Sequence, residues 1–334
     1  MRNFLYVWII VLIVLSACTT AVPESAATDQ PPLIIRVAFP STIDINDVAA
    51  LLAFEKLAAE GIAVVPTFYA QAELAVTAVA TGQAELGVGS ATVWLSAILQ
   101  DAPIVGLMEQ NSNSWSLMAV NSIQSCQDLD GKRTAIHSEG AVSTAMLHAY
   151  VALNCPGAEP EYLIIPGSEN RAAALMAGEI DATPSELIDA LSIQALRPGE
   201  FQVISNFAVD LPGLYTTGVW VDREFLQEHP DQIRSFLRAL LEIHRQINDD
   251  PEWFSGQVTR FLDFEDEELA LLPEIIAALL AVDNYPLNGG IDLAGAQYTI
   301  DFFTASGALT AGLTADKVYD LSHLEAVLDE IGRR

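Results

Sequence analysis

Lysine is almost missing from this chain. Only Lys56, Lys132 and Lys317 occur, and lysine plus arginine total 15 against 44 aspartates and glutamates, a formal net charge of −29. So acidic a body repels phosphate backbones and anionic lipid, which excludes a nucleic-acid partner. Cysteine is as scarce, three in 334 residues, and the five histidines (His137, His148, His229, His244, His323) are scattered, so no Cys/His spacing suits a metal. Gly-x-Ser-x-Gly, Walker and zinc-protease motifs are absent. His137, Ser138 and Glu139 are adjacent, but neighbours at a strand end point in alternating directions, which argues against a catalytic group. No enzyme activity and no cofactor are expected.

Long apolar runs are missing too, with one exception, Phe4 to Leu15, preceded by Arg2 and no acid. It is too short to span a bilayer and has the charge, apolar core and small residues of a secretory signal. Leu15-Ser16-Ala17-Cys18 resembles a bacterial lipobox, in which the cysteine is lipid-modified after cleavage. The competing reading is an ordinary signal peptide or short anchor with an incidental Cys18. The proline-rich, polar stretch Thr19 to Pro32 has no apolar periodicity and reads as a flexible tether. Residues 1–17 are thus expected to be a signal peptide and 18–32 a lipidated tether, which places the protein outside the cytoplasm on a bacterial membrane. Cys126 and Cys155 are then left as an even pair in an oxidising compartment, either bridged or as two buried thiols.

What is present is a globular balance, 51% hydrophobic and 18% charged residues, over about 300 residues, more than one core usually serves. Apolar runs such as Leu33–Phe39, Ala63–Ala70 and Lys132–Ser138 alternate with helical patterns, several ending in glycine. Strand–helix alternation with short links predicts parallel sheets with helices on both faces. The pattern restarts after about residue 120. Two α/β lobes are expected, each a mostly parallel sheet flanked by helices and joined by two extended crossings near 118–125 and 216–222. The first lobe is assigned 33–121 and 219–334, the second 122–218. Pro230 is expected to open a long helix, with His229 at the boundary.

Four segments carry a family resemblance: "AVATGQAELGVGSAT", "DLDGKRTAIHSEG", "ALMAGEIDATPSE" and "VDREFLQEHPDQIRSFLRALLEIHRQIND". In this order behind a lipobox, they resemble the solute-binding proteins of ABC importers, the group that includes sulfonate, taurine, nitrate and thiamine-pyrimidine binders. Glu85 stands where that family usually has aspartate. The resemblance implies a type II periplasmic-binding fold that closes on one small molecule and works with a permease and its ATPase. A monomer is expected. The same cleft would serve a sensor complex. The related pyrimidine-synthase enzymes depend on a cysteine-rich iron-binding segment, which two remaining cysteines do not supply.

In open α/β sheets, ligands sit beyond the carboxyl ends of strands, at helix N-termini. The loops there supply the expected binding residues: Ser41, Thr42 and Asp44; Tyr69 and Gln71; Ser90 and Thr92; Ser138, Glu139 and Ser143; Ser185 and Glu186. Trp115, at the start of a strand, is added as an aromatic surface. Any single Ser or Thr here also serves as a helix cap. These loops contain no lysine or arginine, Arg171 being the nearest cation, so a neutral or cationic ligand, such as a pyrimidine-like vitamin precursor, is preferred over a sulfonate or nitrate.

Overall fold

The computed structural model describes residues 33–334. The expected signal peptide, Cys18 and the tether lie outside the described residues. Ten strands form two sheets: β1 (Ile34–Phe39), β2 (Ala63–Phe68), β3 (Leu86–Ser90), β4 (Ile104–Met108), β5 (Trp115–Val120), β6 (Arg133–Ile136), β7 (Glu161–Ile164), β8 (Ala182–Glu186), β9 (Phe201–Asn206) and β10 (Thr217–Asp222). The first sheet runs β2-β1-β3-β10-β4 and the second β7-β6-β8-β5-β9. Within each, one strand is antiparallel to its neighbours, β10 in the first and β5 in the second. The other pairings, β1 with β2 and β3, and β6 with β7 and β8, are parallel. The fold is therefore the mixed α/β, two-sheet architecture expected from the alternation.

The crossings fall elsewhere than expected. β5 belongs to the second sheet, so the chain first crosses at 109–114, ahead of the boundary placed at 121. The return runs through 211–216 and ends where β10 slots between β3 and β4. Met118 and Gly218 sit inside strands, Met118 opposite Thr183 and Gly218 opposite Gly89. A crossing strand reads as an apolar run whichever sheet receives it, and the sequence pattern carries no information on the recipient.

The first lobe's core is closed by the C-terminal helices. Helix Pro230–Asp249 begins on Pro230, whose absent N–H is one that no helix start can bond. It buries Ile233, Phe236, Leu237, Leu240, Leu241 and Ile247 in one cluster with Leu52 and Leu57 of helix Val48–Ala59 and Val327 and Leu328 of Ser322–Ile331. On the sheet's other side, Trp94 and Trp220 stack at 6.2 Å and Tyr319 meets Trp94 edge-on at 5.1 Å. Gly87 makes that room: a Cβ there would lie 2.4 Å from the Trp220 ring. The second lobe carries a disulfide between Cys126, in the short turn after β5, and Cys155, at the end of helix Val142–Asn154, with Cα atoms 5.8 Å apart. Among the described residues no helix is long and apolar enough to cross a membrane.

Candidate functional site

Where the crossing strands enter, the two sheets present matching edges. Trp115 opens β5 opposite Glu186 at the end of β8, and Thr217 opens β10 opposite Ser90 at the end of β3. The crossings are tied to each other: the Thr217 hydroxyl donates to the Asn111 carbonyl at 2.6 Å and accepts from the Asn111 N–H at 3.0 Å. A cavity of about 250 Å³ lies there, bounded by both lobes and both crossings. Of the expected residues, Ser41, Thr42, Asp44, Ser90, Trp115, Ser143 and Glu186 line it.

The others do not. Tyr69 and Gln71 follow β2, the edge strand of its sheet, and only Ala72 of that loop reaches the cavity. Glu139 is exposed. Ser185 precedes Glu186 on β8 and so points to the opposite face, where it is fully buried. Thr92 and Ser138 join the lobes directly: Thr92 Oγ1 donates to the Gly140 carbonyl at 2.7 Å, and Ser138 Oγ to Glu73 Oε1 at 3.3 Å. Ser90 makes a third cross-lobe contact, its hydroxyl accepting the Val142 N–H at 3.1 Å. Val142 is the first residue of its helix, so a first-lobe serine fills an N-terminal position that would otherwise attract an anion.

The dominant chemistry is acidic. Asp44, Asp47 and Glu186 all line the cavity. Asn46 arranges them: its N–H donates to Asp44 Oδ1 at 2.7 Å, and its Nδ2 reaches across the lobes to Glu186 Oε2 at 2.8 Å. Asn284 holds Asn46 in turn, Nδ2 to Oδ1 at 3.0 Å. Asp47 accepts from the Asp44 N–H at 3.3 Å and from Gln110 Nε2 at 3.0 Å. Burial pushes the Asp44 carboxyl up to about 6, with Asp189 and Glu169 repelling its charge and the Asn46 N–H opposing the rise. Burial first and then Asp44's charge hold Asp47 well above the usual range; Glu186 is raised by burial and by Asp44, Asp189 and Asp47. With one oxygen of Asp44 and one of Glu186 taking no protein donor, the cluster is poised for a ligand that brings positive charge or N–H groups.

Arg171 points neither to solvent nor into the cavity. It is fully buried, Nε bonded to Thr183 Oγ1 at 3.1 Å and Nη1 to the Gly167 carbonyl at 2.9 Å, with its guanidinium 5.9 Å from the Trp115 ring centre. It fixes the wall that carries Trp115 and Glu186 and stays unavailable to an anion. His137 lines the cavity with its pKa lowered by burial and by Arg171's charge; its Nδ1 accepts the Gly167 N–H at 3.2 Å, leaving the ring proton on Nε2. Sequence reasoning missed Asp47, Gln110, Ser168, Thr216 and Thr217. The polar run Gln110 to Ser114 between two apolar strands was a visible signal; Asp47 was hidden in a helix pattern. Among the described residues no group of His, Cys, Asp or Glu is arranged to hold a metal ion.

A cleft between two sheets joined by two crossings defines the architecture of a periplasmic solute-binding protein. The NMT1/THI5-like family model matches residues 56–253, and the chain belongs to that family. Solved structures share the fold: a ligand-binding component of an ABC-type import system from Staphylococcus aureus with zinc bound (12% identity, 88% of this chain and 99% of that one, TM-score 0.70). The alkanesulfonate-binding protein SsuA of Xanthomonas axonopodis, bound to MOPS, is similar at 16% identity over 87% of this chain and 99% of that one, TM-score 0.68. The nitrate-binding protein NrtA of Synechocystis matches at 13% identity over 90% and 89%, TM-score 0.66. No curated protein matches the sequence.

Proposed function

We propose that this protein is the extracytoplasmic solute-binding component of an ABC importer, capturing a small organic ligand between its lobes and passing it to a permease and ATPase. The fold shared with import components, and a cavity bounded by both lobes, support that reading. The ligand is a compact organic cation, or a heterocycle rich in N–H donors, lying against Trp115. The observation that carries this is the trio Asp44, Asp47 and Glu186 in a cavity with no lysine or arginine on its wall. An anion there would meet three acidic groups with no cation on the cavity wall and find one helix N-terminus already taken by Ser90. A cation instead takes up the charge the acids develop as they lose their protons. Neither the sulfonate nor the nitrate named for the similar structures suits this wall.

A thermal-shift panel of primary amines, aminopyrimidines, alkanesulfonates and nitrate tests the reading, with calorimetry on each hit. A cation at 100 times its dissociation constant stabilises by about 2.7 kcal/mol. Stabilisation by an alkanesulfonate alone would overturn the ligand class and keep the binding role. Anchoring through Cys18 is part of the same proposal. Wild type is expected to incorporate labelled fatty acid in a bacterial host; equal labelling of Cys18→Ser would rule the anchor out.

A further inference from the structure

Asn284 is fully buried and lies off the cavity wall, in the loop that follows helix Asp266–Ala281. Its main chain is bound to the first crossing, the carbonyl accepting the Ser112 N–H at 3.2 Å and Asn111 Nδ2 at 3.5 Å. Its side chain serves the site: Nδ2 donates to Asn46 Oδ1 at 3.0 Å, while its own Oδ1 is buried with no hydrogen-bond partner. A half-turn of a terminal amide exchanges its nitrogen and oxygen at little torsional cost. Here the turn would set Asn284 Oδ1 against Asn46, which would have to turn as well and answer with Nδ2. Asn46 Oδ1 would then face Glu186 Oε2, an oxygen against an oxygen. The observed orientation leaves one buried oxygen unpaired and avoids that opposition.

With its Oδ1 taken by Asn284, Asn46 has only Nδ2 left for Glu186 Oε2, which it reaches at 2.8 Å, and its main-chain N–H holds Asp44 Oδ1 at 2.7 Å. The second oxygen of each acid takes no protein donor. We propose that Asn284 is a positioning residue for the ligand site: acting through Asn46, it fixes which oxygen of Glu186 is bonded across the lobes and which is left for the ligand. Because the crossing holds its main chain, the same residue ties the place of the crossing to the order of the acids. This rests on the reading of the cleft as the ligand site and adds to it a residue that the ligand never touches.

Carboxyl-carbon NMR on glutamate-labelled protein, without ligand, reads the titration of Glu186, whose signal is the one lost in Glu186→Gln. Asp44 and Asp47 face Glu186 from the first lobe, Asp189 and Arg171 from its own, and all four stay unchanged in the variants. Asn46→Ala removes a donor from the ionised carboxylate, so the midpoint should rise, by about 0.5–1 pH unit for one hydrogen bond. Asn284→Leu, similar in size and without a donor, should raise it in the same direction. The two substitutions together should raise it no further than Asn46→Ala alone, since the outer residue acts through the inner. An unchanged midpoint in either single variant, or two rises that add, overturns the proposal. If Asn284→Leu does not fold, Asn284→Ala carries the same expectation. The midpoint is read with no ligand, so the ligand class stands or falls separately, in the thermal-shift panel.

Discussion

In the first lobe Arg36 of β1 donates to Glu85 (Nε–Oε1 3.0 Å) and to the Gly82 carbonyl at 2.9 Å; in the second, Arg133 of β6 donates to Asp181 (Nε–Oδ2 3.2 Å) and to the Gly178 carbonyl at 3.1 Å. In both, the backbone N–H of the arginine also bonds the acid. The same clamp thus ties β1 to the residue leading into β3 and β6 to the residue leading into β8, in lobes with equivalent strand orders. Five residues beyond each clamped acid the lobes diverge: Ser90 ends β3 and Glu186 ends β8. The crossing strands diverge at the matching place, Thr217 against Trp115. At these positions the first lobe carries hydroxyls, the second a carboxylate and an indole. A repeated frame with unlike tips separates the residues that hold the fold from those that line the cavity.

The second lobe also leans on polar fastening. The first shares a cluster with the C-terminal helices, whereas one face of the second sheet is covered by a small cluster around Met118, Leu175 and Ile193. Arg171→Met should therefore give the largest loss. It strands the Pro184 and Gly167 carbonyls and removes the one cation near Glu186, for a loss of about 3–5 kcal/mol in urea unfolding. A loss below about 1 kcal/mol would show that these carbonyls find other donors. Next comes Cys155→Ala, which opens a bridge spanning 29 residues and should cost about 3–4 kcal/mol in the chain-entropy model. Hydrogen exchange should rise in the second lobe, with the first sheet unchanged; a uniform rise would break the distinction between the lobes.

The acidic wall of the cavity predicts a pH dependence. Asp44's folded pKa, about 6, lies above its unfolded value of 3.8, so the folded state holds the proton more tightly. That stabilisation is complete below about pH 4 and is lost as pH rises through about 6, on the order of 1–3 kcal/mol. Ligand-free wild type should lose stability relative to Asp44→Asn between those values. Parallel denaturation curves for the two would contradict it. Buried His244, lowered to about 4, acts in the opposite direction, losing stability as pH falls from 6.5 through 4, but it is common to both proteins and cancels. The smallest effects belong to the repeated clamps. Their arginines are more than two-fifths exposed, so Arg36→Ala and Arg133→Ala should each cost no more than about 1 kcal/mol, by similar amounts. A large difference between the two would mean that the frame is repeated in shape only.

The frame was legible in the sequence because buried strands are continuous apolar runs and their helices end on glycine or begin on proline. The crossings were not, since β5 and β10 pair with strands distant in sequence, and pairing across a sheet leaves no local trace. Within the site, Asp44, Ser90, Trp115 and Glu186 were legible as strand-end residues. Thr92 and Ser138 looked the same and proved to latch lobe to lobe. Asp47 and Thr216 became site residues only through the packing of crossings that the pattern had misplaced.

The position of β10 bears on the order in which the chain can be assembled. β3 and β4 have no contact surface of their own, because β10 fills the gap between them, and β10 is reached only after the whole second lobe has emerged. The segment 115–206 holds all five strands of its sheet in one uninterrupted stretch. A chain that emerges N-terminus first therefore has all the strands of its later sheet before those of its earlier one. The first-made half waits, split open along the β3–β4 seam, for a strand delivered from the far side of its own finished neighbour.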